Sequence, residues 1–153
     1  MRDLALAAFA WLACAAAPAA AQQDPIAIDP APARAAPALP AQAVVGEWIT
    51  QFANTGGGPI VGSGLLRITR DSSLDALDGV SPAPGWDGVQ TGQVEPGPND
   101  TLIWTGRWAS IWPEGATMGT FRIVFTDANS FFGTWSSDDG DVVDAPWNGR
   151  RLH

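Results

Sequence analysis

From Val44 to Leu152, short runs of alternating apolar and polar residues are broken roughly every ten positions by turn chemistry. Period two sends successive side chains to opposite faces, so each run predicts a strand with one buried face. Eight such runs are legible: Val44–Phe52, Gly64–Arg70, Leu77–Val80, Trp86–Glu95, Thr101–Ala109, Met118–Thr126, Ser130–Ser136 and Pro146–Leu152. Within them Leu66 and Ile68 share a face, as do Leu102, Trp104, Gly106 and Trp108, then Phe121, Ile123 and Phe125, then Phe131, Gly133 and Trp135. Thr120, Arg122 and Val124 fall on the outward face. The interruptions are "ANTGGGPIVGS", "DSSLDA", "SPAPG", "PGPND", "SIWPEGAT", "DANS" and "DDGDVVDAP", rich in the residues that accept turn geometry. No helical period appears anywhere in this part.

Eight short strands in sequence form either a sandwich or a barrel. Hairpins of similar length favour an all-β, antiparallel, up-and-down meander barrel, because closure removes both edges. Eight strands leave an interior just wide enough to be filled by side chains or to hold one small ligand. A repeated triplet bears on which. Gly46-Glu47-Trp48, Gly106-Arg107-Trp108 and Gly133-Thr134-Trp135 share one pattern, and Trp147-Asn148-Gly149 mirrors it. On a strand the glycine and tryptophan lie on one face, where the glycine offers the indole space and lets the strand coil. Such indoles either fill a core or line a cavity, and the pattern fits both.

The order Gly46-x-Trp48, "LDG", "GQV", "LIWTGRW", "GTFRIVF", "SFFGTW" and a closing "WNGRR" resembles a repeated-strand barrel family of exported bacterial proteins without a defined function. The resemblance spans nearly all of residues 44–152. More distantly the chain is similar to the calycins, lipocalins and avidins, whose barrels begin with Gly-x-Trp. Lipocalins stack an arginine from the end of the barrel over that first tryptophan. The resemblance therefore implies a structural latch between Trp48 and Arg150 or Arg151, worth roughly 0.5–2 kcal/mol for a cation over an indole. Avidins read biotin with a polar ring that includes a first-strand asparagine and a tyrosine. Thr50 stands near the former place and the chain has no tyrosine, so biotin binding does not carry over. A haem barrel needs an axial ligand, and the one histidine is the terminal His153.

The residues before the strands predict an address. "LALAAFAWLACAAAP" is too short to span a bilayer, and Ala19-Ala20-Ala21 offers a small-x-small cleavage site, so residues 1–21 read as a signal peptide cut before Gln22. The alternative is a lipoprotein anchored through Cys14, although Trp11-Leu12-Ala13 is a poor lipobox. Residues 22–43, with five prolines and no period, read as a disordered linker, which leaves a β-barrel domain over 44–153. Export means the periplasm or beyond, with no transmembrane segment. Once Cys14 leaves, no cysteine remains and the fold must hold by its core alone.

Charge narrows the partners. Sixteen acidic residues face eight arginines and no lysine, a net −8 that argues against nucleic acid and anionic lipid. Chemistry is narrowed further. Without a mature cysteine or lysine, and with His153 at a chain end, no nucleophilic triad or zinc site assembles. Glu47, Glu95 and Glu114 sit on separate elements, so no carboxylate pair is set up for glycoside hydrolysis. Asp138, Asp139, Asp141 and Asp144 offer Ca²⁺ several oxygens, but Gly140 comes too early for an EF-hand, and the other reading is a solvated loop with a tight Asp139-Gly140 turn.

What remains is a binding or interaction protein without catalytic activity and without a cofactor. Its partner is an apolar or neutral small molecule, or an envelope protein. Trp86 and Trp112 are expected on loops, and in a meander their connections share one end of the barrel with the acidic loop. Together with Trp104 and Trp108 they are the candidate ligand contacts. The alternatives are a cavity-free structural module and carbohydrate recognition through exposed tryptophans. The discriminating feature is whether the barrel axis is empty.

Overall fold

The computed structural model describes residues 38–71, 75–83 and 86–153, with the side chains of Ala83 and Trp86 outside that description. The expected signal segment 1–21, Cys14 and the first part of the expected linker lie outside the described residues.

The chain forms the expected barrel. Its strands are β1 Gly46–Phe52, β2 Gly62–Asp71, β3 Ala76–Ala83, β4 Trp86–Pro96, β5 Leu102–Trp112, β6 Gly115–Phe125, β7 Ser130–Ser137 and β8 Ala145–Arg151. Each pairs antiparallel with its sequence neighbours, and β1 closes on β8 with Trp48 opposite Arg151 and Phe52 opposite Trp147. Parity is kept around the whole circuit: Trp48, Thr50 and Phe52 point inward from β1, and Trp104, Gly106, Trp108 and Ser110 from β5.

One connection differs from expectation. "SIWPEGAT" is not a loop: β5 runs on through Trp112 and β6 begins at Gly115, paired to each other. The turn is only Pro113 and Glu114, because Ser110, Ile111 and Trp112 continue the alternation up to a proline whose fixed φ suits a turn. Trp86 opens β4, paired with Ala83, as the run Trp86–Glu95 predicts, and so belongs to the strand and not to the loop before it. Val124 does fall on the outward register, yet it is buried, as is Ile103 opposite it, because the 97–101 turn folds back over that part of the wall.

Odd-to-even connections lie at one end, the mouth; even-to-odd connections and the chain ends lie at the other, the base. The half of the interior nearer the base is solid. Trp48, Leu66, Ile68, Leu77, Trp104, Ile123 and Phe125 are fully buried there with Phe121 and Phe131. Their rings meet edge-on: Trp48 to Phe125 at 5.4 Å, Trp104 to Phe121 at 4.7 Å, Phe125 to Phe131 at 5.5 Å. Such contacts each add about 0.5–1.5 kcal/mol to the burial itself.

The base is closed by residues expected to belong to the linker. A short 3-10 helix, Ala41–Val44, lies across it, and Leu39 and Ala41 pack on the core. The Leu39 amide donates to the Asp100 carbonyl at 3.1 Å, and the Trp48 indole to the Val44 carbonyl at 3.0 Å. The domain therefore begins before Val44. A Pro/Ala-rich segment conceals this in sequence, since one leucine carries the contact.

The latch involves Arg151 and not Arg150. The Arg151 guanidinium lies 5.3 Å from the Trp48 ring centroid, with Nε donating to the Ala128 carbonyl at 2.7 Å and Nη2 donating to the Ala43 carbonyl. Gly46, at φ +144°, passes beneath it, where an added Cβ would lie 3.1 Å from the guanidinium. Arg150 faces solvent.

The glycines of the triplets make room differently than expected. A Cβ on Gly106 would lie 2.6 Å from the Gly92 Cα and closer still to the Thr91 carbonyl, so this glycine admits a neighbouring backbone where the wall coils. Space for the indoles comes from across the sheet: a Cβ on Gly79 would lie 3.0 Å from Trp104, and one on Gly119 2.7 Å from the Trp108 indole nitrogen.

Candidate functional site

The same strands that bury bulky groups near the base carry small and polar groups farther on. On β1 Trp48 is followed inward by Thr50; on β3 Leu77 and Gly79 by Ser81; on β5 Trp104 by Trp108, Ser110 and Trp112; on β6 Phe121 is preceded by Gly119 and Thr117. The small groups among them, Thr50, Ser81, Ser110, Thr117 and Gly119, do not reach across the axis to the indoles on the facing wall. The result is a cavity of about 520 Å³ open at the mouth.

Its lining has two characters. Aromatic groups come from one side of the circuit: Trp108 and Trp112 on β5, Trp135 on β7 and Trp147 on β8, joined by Phe52 from the adjacent β1. Hydrogen-bonding groups come from around the wall: Thr50, Ser81, Gln90, Ser110 and Thr117, with Asn54 in the first mouth loop. No charged side chain lines it among the described residues.

The indoles are fixed. Trp108 Nε1 donates to the Ser136 carbonyl at 3.0 Å and Trp135 Nε1 to the Ala53 carbonyl at 2.9 Å. Their rings stand 5.3 Å apart at 81°, so together they form a right-angled corner. With both N–H groups engaged by backbone, these rings offer a ligand only their apolar surfaces. The indole nitrogens of Trp104 and Trp147 are buried without an acceptor among the described residues.

Thr50 and Gln90 are buried polar side chains, 3% and 7% exposed, and both line the cavity. A buried polar group is costly unless it finds a partner. Thr50 Oγ1 donates to the Gly64 carbonyl at 3.2 Å, which leaves its lone pairs as acceptors. Gln90 Oε1 accepts from Ser81 Oγ at a long 3.4 Å, which leaves the amide N–H groups as donors. Acceptor and donor are thus both presented from the polar wall.

The expected contacts divide. Trp108 and Trp112 line the cavity. Trp104 does not: it is fully buried in the filled half, because it stands four residues, two periods of the alternation, nearer the base than Trp108. The side chain of Trp86 lies outside the described residues. Thr50, Gln90, Ser81, Trp135 and Trp147 were not read as site residues. Their signal was parity: each lies an even number of positions from an inward neighbour on its strand.

The acidic loop, residues 138–144, reaches the mouth as expected from the connection count. It does not gather its carboxylates. Asp138 pairs with Arg107 on the outer wall, and Asp139 accepts from Ser137 Oγ and from the Asp141 amide at 3.1 Å. Those bonds, the Ser137 hydroxyl first, hold the Asp139 carboxyl below the ordinary aspartate range. Gly140, at φ +84°, closes a tight turn by donating to the Ser137 carbonyl at 3.2 Å. No group of three or more potential metal ligands comes together among the described residues.

Comparison with known families, curated proteins and solved structures gives no match. The barrel rests on its own hydrogen-bonded register. Among the described residues no helix is long and apolar enough to cross a membrane.

Proposed function

We propose that this protein is an exported binding barrel that takes one uncharged small molecule through the mouth and holds it in the upper half of the interior. The observation that carries this reading is the 520 Å³ cavity, which lies within the roughly 300–1,000 Å³ of small-molecule sites and is lined by fixed aromatic rings and a few polar groups. A cavity-free module has no use for inward Thr50, Gln90 and Ser81, where apolar groups would stabilise the barrel more. The neutral lining, with an acidic loop at the same mouth, disfavours anions. The closed eight-stranded barrel and its Gly-x-Trp pattern support the resemblance to the repeated-strand family of exported barrels, with the calycins as distant kin.

The test is a screen of uncharged compounds read by tryptophan fluorescence on the wild type and on Gly64→Leu. A Cβ at Gly64 meets nothing within 4 Å, so the leucine is expected to occupy the cavity without disturbing the wall. Ligand quenching should disappear in the variant while the melting temperature holds. Equal binding by both proteins would place the site elsewhere.

A further inference from the structure

We infer that the ligand is a neutral sugar ring, seated against the Trp108–Trp135 corner with its hydroxyls directed to the wall that carries Thr50, Ser81 and Gln90; this rests on the binding reading above and narrows it.

Two features of the cavity are asymmetric in a way that a wholly apolar ligand would not use. Trp147 aside, whose N–H is buried without an acceptor among the described residues, the corner of Trp108 and Trp135 presents ring surfaces whose N–H groups are already bonded to the Ser136 and Ala53 carbonyls. It therefore favours a ligand with an apolar face. Interspersed with these rings are a free donor set on Gln90, the register neighbour of Trp108, and a free acceptor on Thr50, both on buried side chains. A wholly apolar occupant would strand those groups away from water. A hydroxyl both donates and accepts, so it satisfies either partner.

The distribution of polar groups separates a sugar from a planar heterocycle. A planar heterocycle carries its hydrogen-bonding atoms in the ring plane. Here the polar groups lie on β1, β3, β4, β5 and β6, spread around the circuit and along the axis. A pyranose matches that spread, because its hydroxyls project around the whole perimeter while its axial C–H bonds make one apolar face. The perpendicular indoles suit this shape: the C–H face stacks on one ring and the ring's end abuts the other. The neutral lining excludes uronates and phosphosugars as preferred ligands.

The experiment titrates the full chain with uncharged methyl glycosides, the matching methyl uronates, and the neutral apolar dye N-phenyl-1-naphthylamine. The glycosides should quench tryptophan emission and the uronates should bind at least tenfold more weakly. Gln90→Met, which keeps volume and removes the donors, should weaken glycosides at least tenfold and leave the dye unchanged. If that variant fails to fold, the pair Thr50→Val and Ser81→Ala carries the same expectation. Dye binding without glycoside binding would overturn the sugar assignment and leave the binding barrel standing. So would glycoside affinity indifferent to the polar variants, or uronates bound as well as glycosides. Absence of binding by every probe would overturn both.

Discussion

The two halves of this barrel are built from the same eight strands, yet they obey opposite rules. Toward the base large side chains fill the interior, from Trp48 and Trp104 to Phe125, and the rings lock edge to face. Toward the mouth the inward positions mix Phe52, Trp108, Trp112 and Trp135 with the small Gly64, Ser81, Ser110 and Thr117, and the axis opens. The hydrogen-bonded ladder is indifferent to this change, because backbone pairing runs unbroken across both halves. Stability and recognition are therefore separated along each strand and not between strands. A residue's distance from the base decides which of the two it serves.

That contrast can be broken most severely at its lower end. Trp48→Ala is expected to cost about 3–5 kcal/mol, as for other buried aromatics, and to prevent folding if the total stability is modest. Urea unfolding monitored by circular dichroism measures it. Gly106→Ala comes next, at about 1–3 kcal/mol, because the methyl group is driven against the Thr91–Gly92 backbone where neither strand can yield. Removal of residues 1–41 exposes the base and deletes the Leu39 contact; a loss of roughly 1–2 kcal/mol by the same assay is expected for one partly buried leucine.

The upper half should respond in the other direction. Gly64→Ala places a methyl group in open space on an extended backbone, so it is expected to change stability by zero to about +1 kcal/mol, chiefly through the unfolded chain. A loss of more than 1 kcal/mol there would erase the distinction between the halves. The smallest effect belongs to the mouth loop. The Asp139 carboxyl is held below its unfolded value, so its support of the loop is complete above the ordinary aspartate range near pH 4 and is lost as pH falls through the lower, folded value. The protection of the Asp141 amide against hydrogen exchange, relative to an unstructured amide at the same pH, should fall on acidification, and Asp139→Asn should flatten that dependence.

The sequence carried the barrel well and the site poorly, for reasons visible in particular residues. Phe121, Ile123 and Phe125 declare an inward face by hydrophobicity alone. Thr50, Gln90 and Ser110 occupy inward positions too, but a polar residue on a strand reads as solvent-facing unless its parity is followed from a neighbour. Trp112 read as a loop residue because "WPEG" suggested a longer turn than the two residues it is. Arg150 and Arg151 could not be told apart in sequence, since either could close the barrel. Register decides: Arg151 stands opposite Trp48 and keeps the inward parity of Trp147 and Gly149. Leu39 gave no pattern because it is a single large apolar residue in a Pro/Ala-rich stretch, ahead of a 3-10 turn, Ala41–Val44, too short to show a period.

The β1–β8 seam sets the order in which the molecule can assemble. Seven of its eight strand pairings join neighbours through short connections, and each can zip from its turn. The eighth brings together the two ends of the domain, so its loop-closure entropy is the largest and its formation is expected last. Until then β1 and β8 are bare edges, open to pairing with another chain. Trp48 and Arg151, facing each other across that seam, make its closure favourable as soon as the register is right. Weakening them should therefore show itself first as slower folding and greater aggregation during refolding, before the finished barrel is affected.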